Sequence, residues 1–206
     1  METNPDYFYR PLTLNDLEQV KMLDVTVFGP KHGWTTDQTQ RYLTSAWFAH
    51  GVFILPRCPK TIQNTENTET TKNIKVLVDE PVLVGMLVVE PNKSSHHFPA
   101  EFLDDATENN EEIFLVRTLE VHPQHRGKGL GSNLLTTFLD IFLFNSYRKI
   151  SNFQNQVAQN RIVALHVKPD NQVAKNLYER VGFATYCTLS DYYNPGDDAM
   201  LMFIRS

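Results

Sequence analysis

The chain has 206 residues, 41% of them hydrophobic and 21% charged, with a formal net charge of −5. That length suffices for one domain with a buried core. The composition is that of a soluble globular protein: no run of about eighteen apolar residues offers a membrane span, and the acidic balance argues against direct nucleic-acid binding, which calls for a basic surface. The opening METNPDYFYR lacks the basic segment and apolar core of a secretory signal, which predicts residence in the cytosol or nucleus. Cys58 and Cys187 have no CxxC or HxxxH company, which predicts reduced thiols and no zinc.

In chain order, YFYR predicts a short strand over 7–10 and Pro11 a turn. Leu17, Val20, Leu23 and Val27 then recur at helical spacing behind Asn15 and Asp16, both suited to cap the helix. FGPKHGW (28–34) breaks it, and a second helix is predicted from Thr36 or Asp37 to Phe48, ahead of a strand GVFIL at 51–55. The stretch from Pro56 to about Lys75 is rich in Thr, Asn and Lys and poor in apolar residues, which reads as a polar surface insertion. Strands KVLV (75–78) and PVLVGMLVVE (81–90) follow. PNKSSHHFPAEFLDDATENNEE, about 91–112, reads as a second polar loop insertion. His96 and His97 within it lack a third ligand at metal-binding spacing.

IFLVRTLEV (113–121) is an apolar strand with Arg117 and Glu120 set into it, and SNLLTTFLDIFLFNSY (132–147) a helix whose leucines and phenylalanines recur at three and four. RIVALHV (161–167) reads as a buried strand, NQVAKNLYERVGF (171–183) as a helix stopped by Gly182, and ATYCTLSDYY (184–193) and DAMLMFIR (198–205) as strands around an NPGDD turn. Strands alternating with helices, closed by an antiparallel ending, define an α+β (mixed α/β) fold class around one central sheet.

VHPQHRGKGLGSNLL (121–135) joins the strand to the helix. Glycines at 127, 129 and 131 ahead of a helix start leave backbone N–H groups facing outward at a positive helix end, which is an anion cradle, and Arg126 and Lys128 add charge at its rim. Pyrophosphate is a guest of the right chemistry. The spacing is neither the GxxxxGK[ST] of a nucleotide P-loop nor the GxGxxG of a dinucleotide fold. A glycine-rich turn that only closes strand against helix has the same local pattern.

The wider pattern resembles the acetyl-coenzyme A segment of the GNAT superfamily of acetyltransferases, Q/R-x-x-G-x-G/A between strand and helix. Gln124, Gly127 and Gly129 fill it, and Arg126 and Gly131 match its extended form. LHVKPDNQVAKNLYERVGF resembles the family's next strand and helix, with Asn171 and Tyr178 where an Asn and a Tyr lie against the coenzyme arm. The resemblance covers nearly the whole chain apart from the two insertions. It implies a GNAT fold over residues 1–206: a mostly antiparallel twisted sheet, its central strand splayed, flanked by helices. It also implies acetyl-CoA as cosubstrate, held by Val121, Gln124, His125, Arg126, Gly127, Lys128, Gly129, Leu130, Gly131, Ser132, Asn171 and Tyr178, with no metal.

Within the superfamily the chain looks most like the eukaryotic protein amino-terminal acetyltransferases of the NatE, NatF and NatA catalytic-subunit type. ALHV resembles their YLHV strand, which makes His166 the candidate base, while Tyr178 matches a tyrosine often assigned the acid role. Those relatives carry a second tyrosine on the central strand, where this chain has Leu115. Glu120 is the candidate substitute, or else a strand-end carboxylate paired with Arg117 or Lys128. Tyr192 and Tyr193 in SDYYNPGDD resemble the pair that lines the peptide entrance, and Phe28 and Pro30 resemble, with an extra glycine, the loop that packs on the substrate's first residue.

The resemblance thus implies acetylation of the α-amino group of a protein or peptide N-terminus. A NatA-like complex or the ribosome is the implied partner, and, since the sequence ends at Ser206 without the amphipathic helices of the NatF type, no membrane partner is expected. Acetylation of a small amine or a lysine, and a catalytically weak acetyl-CoA-binding accessory role, are the alternatives the residues leave open.

Overall fold

A computed structural model describes residues 6–55, 80–92, 94–142 and 160–206. The first insertion, the KVLV strand, Cys58 and the end of the 132–147 helix lie outside the described residues. Among the described residues seven strands form one sheet: β1 (Tyr7–Pro11), β2 (Phe48–Ile54), β3 (Val82–Pro91), β4 (Glu111–Val121), β5 (Asn160–Val167), β6 (Ala184–Asn194) and β7 (Asp197–Arg205), in the spatial order β1-β2-β3-β4-β5-β7-β6. Every neighbouring pair is antiparallel except β4 and β5. The helices are α1 (Leu17–Phe28), α2 (Thr36–Ser45), α3 (Ala100–Glu108), α4 (Leu130–Phe142) and α5 (Gln172–Arg180).

The period-two alternation of the strands divides the core. Phe114, Val116, Val163 and Leu165 face α4, whose Leu130, Leu134, Leu135, Phe138, Leu139 and Phe142 form a buried stripe at helical spacing, each side chain contributing about 2 kcal/mol of gross burial. On the opposite face, Val20 and Leu23 of α1 pack on Phe53, Leu83 and Met86, while Phe102 and Ala106 of α3 pack on Leu115, Ile162, Ala164 and Leu201.

α1 starts behind a short 3-10 turn, Leu14–Asp16. Asp16 accepts from Thr13 N–H at 2.8 Å and from both Arg10 terminal nitrogens at 2.8 and 2.6 Å, so this carboxylate ties β1 to α1. Gly29, at φ +83, ends the helix. α2 stops at Ser45, short of the Phe48 expected from its sequence, because Phe48 is spent on the sheet: it pairs with Val89 and packs on Phe138 with ring centroids 5.0 Å apart.

The second insertion is not a loop throughout. Its Phe98, Phe102 and Ala106 are buried, and Phe102 and Ala106 stand one helical turn apart on the inner side of α3 while the acidic residues face out. This segment therefore roofs the β4, β5 and β7 part of the sheet.

Candidate active site

β4 and β5 pair only from Glu111/Asn160 to Leu115/Ala164, and beyond that register they part. Arg117 is the extra residue of a bulge, since Val88 lies opposite Thr118 and Val89 opposite Val116. The fork so opened holds a cleft of about 180 Å³ lined by Leu115, Val116, Arg117, His166, Tyr192 and Tyr193. α4 and α5 both begin beyond the carboxyl ends of these strands, the place where open α/β sheets bind ligands.

His166, half-buried on β5, is bonded on both ring nitrogens. Nε2 lies 2.8 Å from the His97 carbonyl oxygen, which can only accept, so Nε2 carries the proton and Nδ1 offers a lone pair. The Tyr192 hydroxyl, 3.1 Å from Nδ1, donates to it, and the two rings stack at 4.3 Å. Burial pushes the His166 pKa down to about 4, opposed by the bond to the His97 carbonyl. The ring is therefore neutral at physiological pH. Tyr193, raised by burial and by the neighbouring Tyr192 and Tyr178, keeps its proton.

His97 continues the chain of bonds. Its Nδ1 is 3.1 Å from the Tyr192 hydroxyl and its Nε2 is 3.2 Å from Arg117, which also pairs with Glu90. His97, Arg117 and Glu90 were not legible as site residues. His97 lies in a polar insertion, and Arg117 reaches the cleft only because the bulge turns it there.

The glycine-rich segment has the geometry its sequence requires. Gly127 and Gly129 adopt φ +74 and +77, and a Cβ built on either meets nothing within 4 Å, so the space above them is open. Leu130, Gly131 and Ser132 supply the first N–H groups of α4, which have no carbonyl one turn back, while Asn133 N–H already bonds Gly129 at 2.9 Å. Gly131 is buried in ordinary helical backbone, where a Cβ would meet Val121 and Leu177 at normal contact distance.

Arg126 and Lys128 are exposed at the rim, and Gln124 is exposed on the 3-10 turn Pro123–His125. Arg126 donates through Nε to the Val121 carbonyl at 3.1 Å. His125 and Lys128 are tied to β1: Lys128 donates to the Tyr7 oxygen at 3.0 Å, and the Tyr7 hydroxyl lies 3.0 Å from His125 Nδ1. Open space over Gly127 and Gly129, a helix N-terminus and two exposed cationic side chains at the rim fit a pyrophosphate-bearing coenzyme.

Other sequence candidates fall elsewhere. Glu120 does not line the cleft, and its supposed partners are taken, Arg117 by Glu90 and Lys128 by Tyr7. It is 1% exposed, accepts from Thr118 at 2.6 Å and adjoins Asp24 of α1, which is 0% exposed and accepts from the Trp34 N–H. Burial, with Asp24 beside it, pushes Glu120 up to about 8, and burial raises Asp24 as well, so the pair holds a proton at neutral pH. Glu120, expected from the sequence as a catalytic candidate, is thus a buried carboxyl paired with Asp24 and lies outside the cleft lining.

Tyr178 is buried against Phe183 in the α4 core, its pKa pushed up to about 12 by burial, and it does not line the cleft. Asn171 caps α5, its side-chain oxygen accepting from Ala174 N–H at 3.2 Å, which leaves its amide N–H₂ outward. Phe28 and Pro30 are exposed at the end of α1, outside the cleft lining.

A central sheet forked between two parallel strands, with an anion cradle at the fork, defines an acyl-coenzyme transferase architecture. The chain belongs to the GNAT acetyltransferase family: the acetyltransferase (GNAT) domain matches residues 72–185. N-alpha-acetyltransferase 30 of Schizosaccharomyces pombe is 31% identical over 84 residues, 41% of this chain and 47% of that protein. The chain spans about half the length of the curated relatives it matches. Among solved structures, Arabidopsis thaliana NAA60 with a bisubstrate analogue superposes at TM-score 0.64 with 15% identity, covering 97% of this chain and 98% of that one. Arabidopsis thaliana Naa50 with the bisubstrate analogue CoA-Ac-MVNAL gives TM-score 0.61 at 19% identity over 96% and 97%. These likenesses establish the GNAT fold of the whole sheet and its helices.

Proposed function

We propose that the chain transfers the acetyl group of acetyl-CoA to the α-amino group of a protein or peptide N-terminus. The observation that carries this is the hydrogen-bonded His166–Tyr192 pair in the fork of β4 and β5, at the end of β4 from which the glycine segment leads into α4.

Acetyl-CoA would supply the thioester. Gly127 to Ser132, with Arg126 and Lys128, would hold its pyrophosphate, and Asn171 offers a free amide to its arm. Tyr192 and Tyr193 wall the acceptor side with aromatic surface and hydroxyls, suited to a peptide backbone and an apolar first residue.

An α-amine titrates near about 8, so a usable fraction arrives unprotonated, whereas a lysine near about 10.4 arrives almost wholly as ammonium. A neutral imidazole of pKa about 4 is too weak to strip an ammonium, yet it takes the proton readily once bond formation has made the nitrogen acidic. The resemblance gives Tyr178, which keeps its proton at a pKa of about 12, the role of hydrogen-bond donor to the departing thiolate. This chemistry favours the α-amine over a lysine.

Further support comes from structural neighbours of the same fold, among them Naa50 in complex with the bisubstrate analogue CoA-Ac-MVNAL and the NatC complex bound to Gag peptide and CoA. They make a multi-subunit acetyltransferase the partner class to test. Leu115, buried where the resembled enzymes carry tyrosine, favours the accessory reading, but Tyr192 brings a phenol to the same histidine from β6.

The test is thiol release from acetyl-CoA by the purified protein with short peptides whose N-termini are free or blocked. Release lost on blocking supports the proposal; saturable acetyl-CoA binding with no release on any peptide supports the accessory role.

A further inference from the structure

Beyond the histidine and tyrosines already placed in the cleft, one group from outside the resembled pattern touches them. His97 sits on the 3-10 turn Ser95–His97 ahead of α3, and it meets the site twice, through its carbonyl to His166 Nε2 at 2.8 Å and through its ring to the Tyr192 hydroxyl at 3.1 Å. Phe98, the next residue, is buried and lies 5.6 Å from the His166 ring, which anchors the turn on the cleft.

The donors and acceptors along this contact admit one order. Arg117 has only donors, so His97 Nε2, 3.2 Å away, accepts, and the neutral ring carries its proton on Nδ1. His97 Nδ1–H then donates to the Tyr192 oxygen, and the Tyr192 hydroxyl donates to His166 Nδ1, whose ring sends Nε2–H back to the His97 carbonyl. The Glu90 carboxylate holds Arg117 at the far end. Each hydrogen in the chain has a single acceptor, and reversing any one link would leave two donors or two lone pairs face to face.

We propose that His97 is a positioning residue for acetyl transfer: its Nδ1–H fixes the Tyr192 hydroxyl with its proton aimed at His166 and a lone pair of its oxygen turned to the cleft. Resting on the transfer reading above, the step balances as follows. As the acceptor nitrogen bonds the acetyl carbon, its surplus proton passes to the Tyr192 oxygen while the Tyr192 proton passes to His166 Nδ1. The N–C bond forms as the carbonyl π pair moves onto its oxygen, and the return of that pair breaks the C–S bond and expels the coenzyme as a thiolate. One N–H and one O–H bond break, one O–H and one N–H bond form, and the positive charge ends on His166 against the His97 carbonyl, balancing the thiolate. The second insertion thereby belongs to the active site.

Two readouts test this. In protein with ¹⁵N-labelled histidine at neutral pH, long-range ¹H–¹⁵N correlations will show one ring protonated on Nδ1 alone and lost in His97→Ala, and one protonated on Nε2 alone and lost in His166→Ala. A His97 ring protonated on Nε2 would overturn the proposal whatever the activity, so this arm stands even if no peptide is acetylated and the transfer reading fails. In turnover, His97→Ala will lower kcat about tenfold with KM for acetyl-CoA unchanged. His97→Asn, whose amide N–H₂ stands near the position of Nδ1, will recover most of that loss. Wild-type kcat in His97→Ala, or equal loss in folded Ala and Asn variants, would overturn it.

Discussion

Tyr192 and His166 form one unit across the strand fork, hydroxyl to Nδ1 at 3.1 Å and ring to ring at 4.3 Å. Tyr192→Phe keeps the stack and removes only the hydroxyl. Its kcat is predicted to fall about tenfold to a hundredfold with acetyl-CoA affinity unchanged, measured by steady-state kinetics and by calorimetry. Unaltered kcat would mean that the hydroxyl takes no part.

The pH dependence follows from the low His166 value of about 4. A ring already neutral above pH 5 adds no inflection near the ordinary histidine value of about 6.5, so kcat/KM is predicted to rise only with the acceptor amine, near about 8. The same shift bears on stability. The unfolded ring binds its proton at about 6.5 and the folded ring at about 4, so the contribution is complete above about 6.5 and is lost as pH falls toward 4. Thermal melts of wild type and His166→Asn from pH 7 to pH 4.5 should converge on acidification.

Glu120 acts with the opposite sign. Its folded value of about 8 lies above the ordinary 4.5, so the folded state holds the extra proton and stability declines as pH rises from about 4.5 to about 8. Glu120→Gln removes that dependence. It is predicted to raise Tm by roughly 3–6 °C at pH 8 and to change it little at pH 4.5, read by scanning calorimetry.

Gly129 and Gly131 separate the conformational role of glycine from simple packing. Gly129→Ala forces a side chain to φ +77 over the open amides and is predicted to raise the Kd for acetyl-CoA about tenfold, whereas Gly131→Ala, in helical backbone with room for a Cβ, should change it less than about threefold. Calorimetric titration of each variant distinguishes the two.

Asp16 fixes the junction of β1 and α1 through Arg10 and Thr13. Asp16→Asn loses the charge that Arg10 pairs with and one acceptor, a destabilisation of about 2 kcal/mol in denaturant melts at neutral pH. Burial opposes ionisation of Asp16, but the Arg10 and Thr13 bonds prevail and hold it below the ordinary carboxylate value. Its contribution is therefore present above about 3.9 and is lost below that as the folded carboxylate protonates.

Much of this was legible in the residues. The apolar stripe of α4, the apolar run of β5, and glycines placed where φ is positive are local signals, and the resemblance that ordered them ran the length of the sheet. What stayed hidden depended on distant partners. α3 carries two buried anchors, Phe102 and Ala106, among acids, too sparse to outweigh a polar composition. Phe48 looks like the end of a helix until Val89 and Phe138 claim it. Glu120 looks like a free strand-end carboxylate until Asp24, nearly a hundred residues earlier, is found beside it. His97 joins the site only because α3 folds back over β5, which no spacing along the chain encodes.

The most direct measurement is the position of the acetyl group on a peptide that carries both a free α-amine and a lysine, read by fragment-ion mass spectrometry after incubation with acetyl-CoA. Transfer to the α-amine alone, abolished in Tyr192→Phe/His166→Ala protein that still binds acetyl-CoA, is the predicted result. Acetyl on the lysine side chain with the N-terminus unmodified would contradict the account.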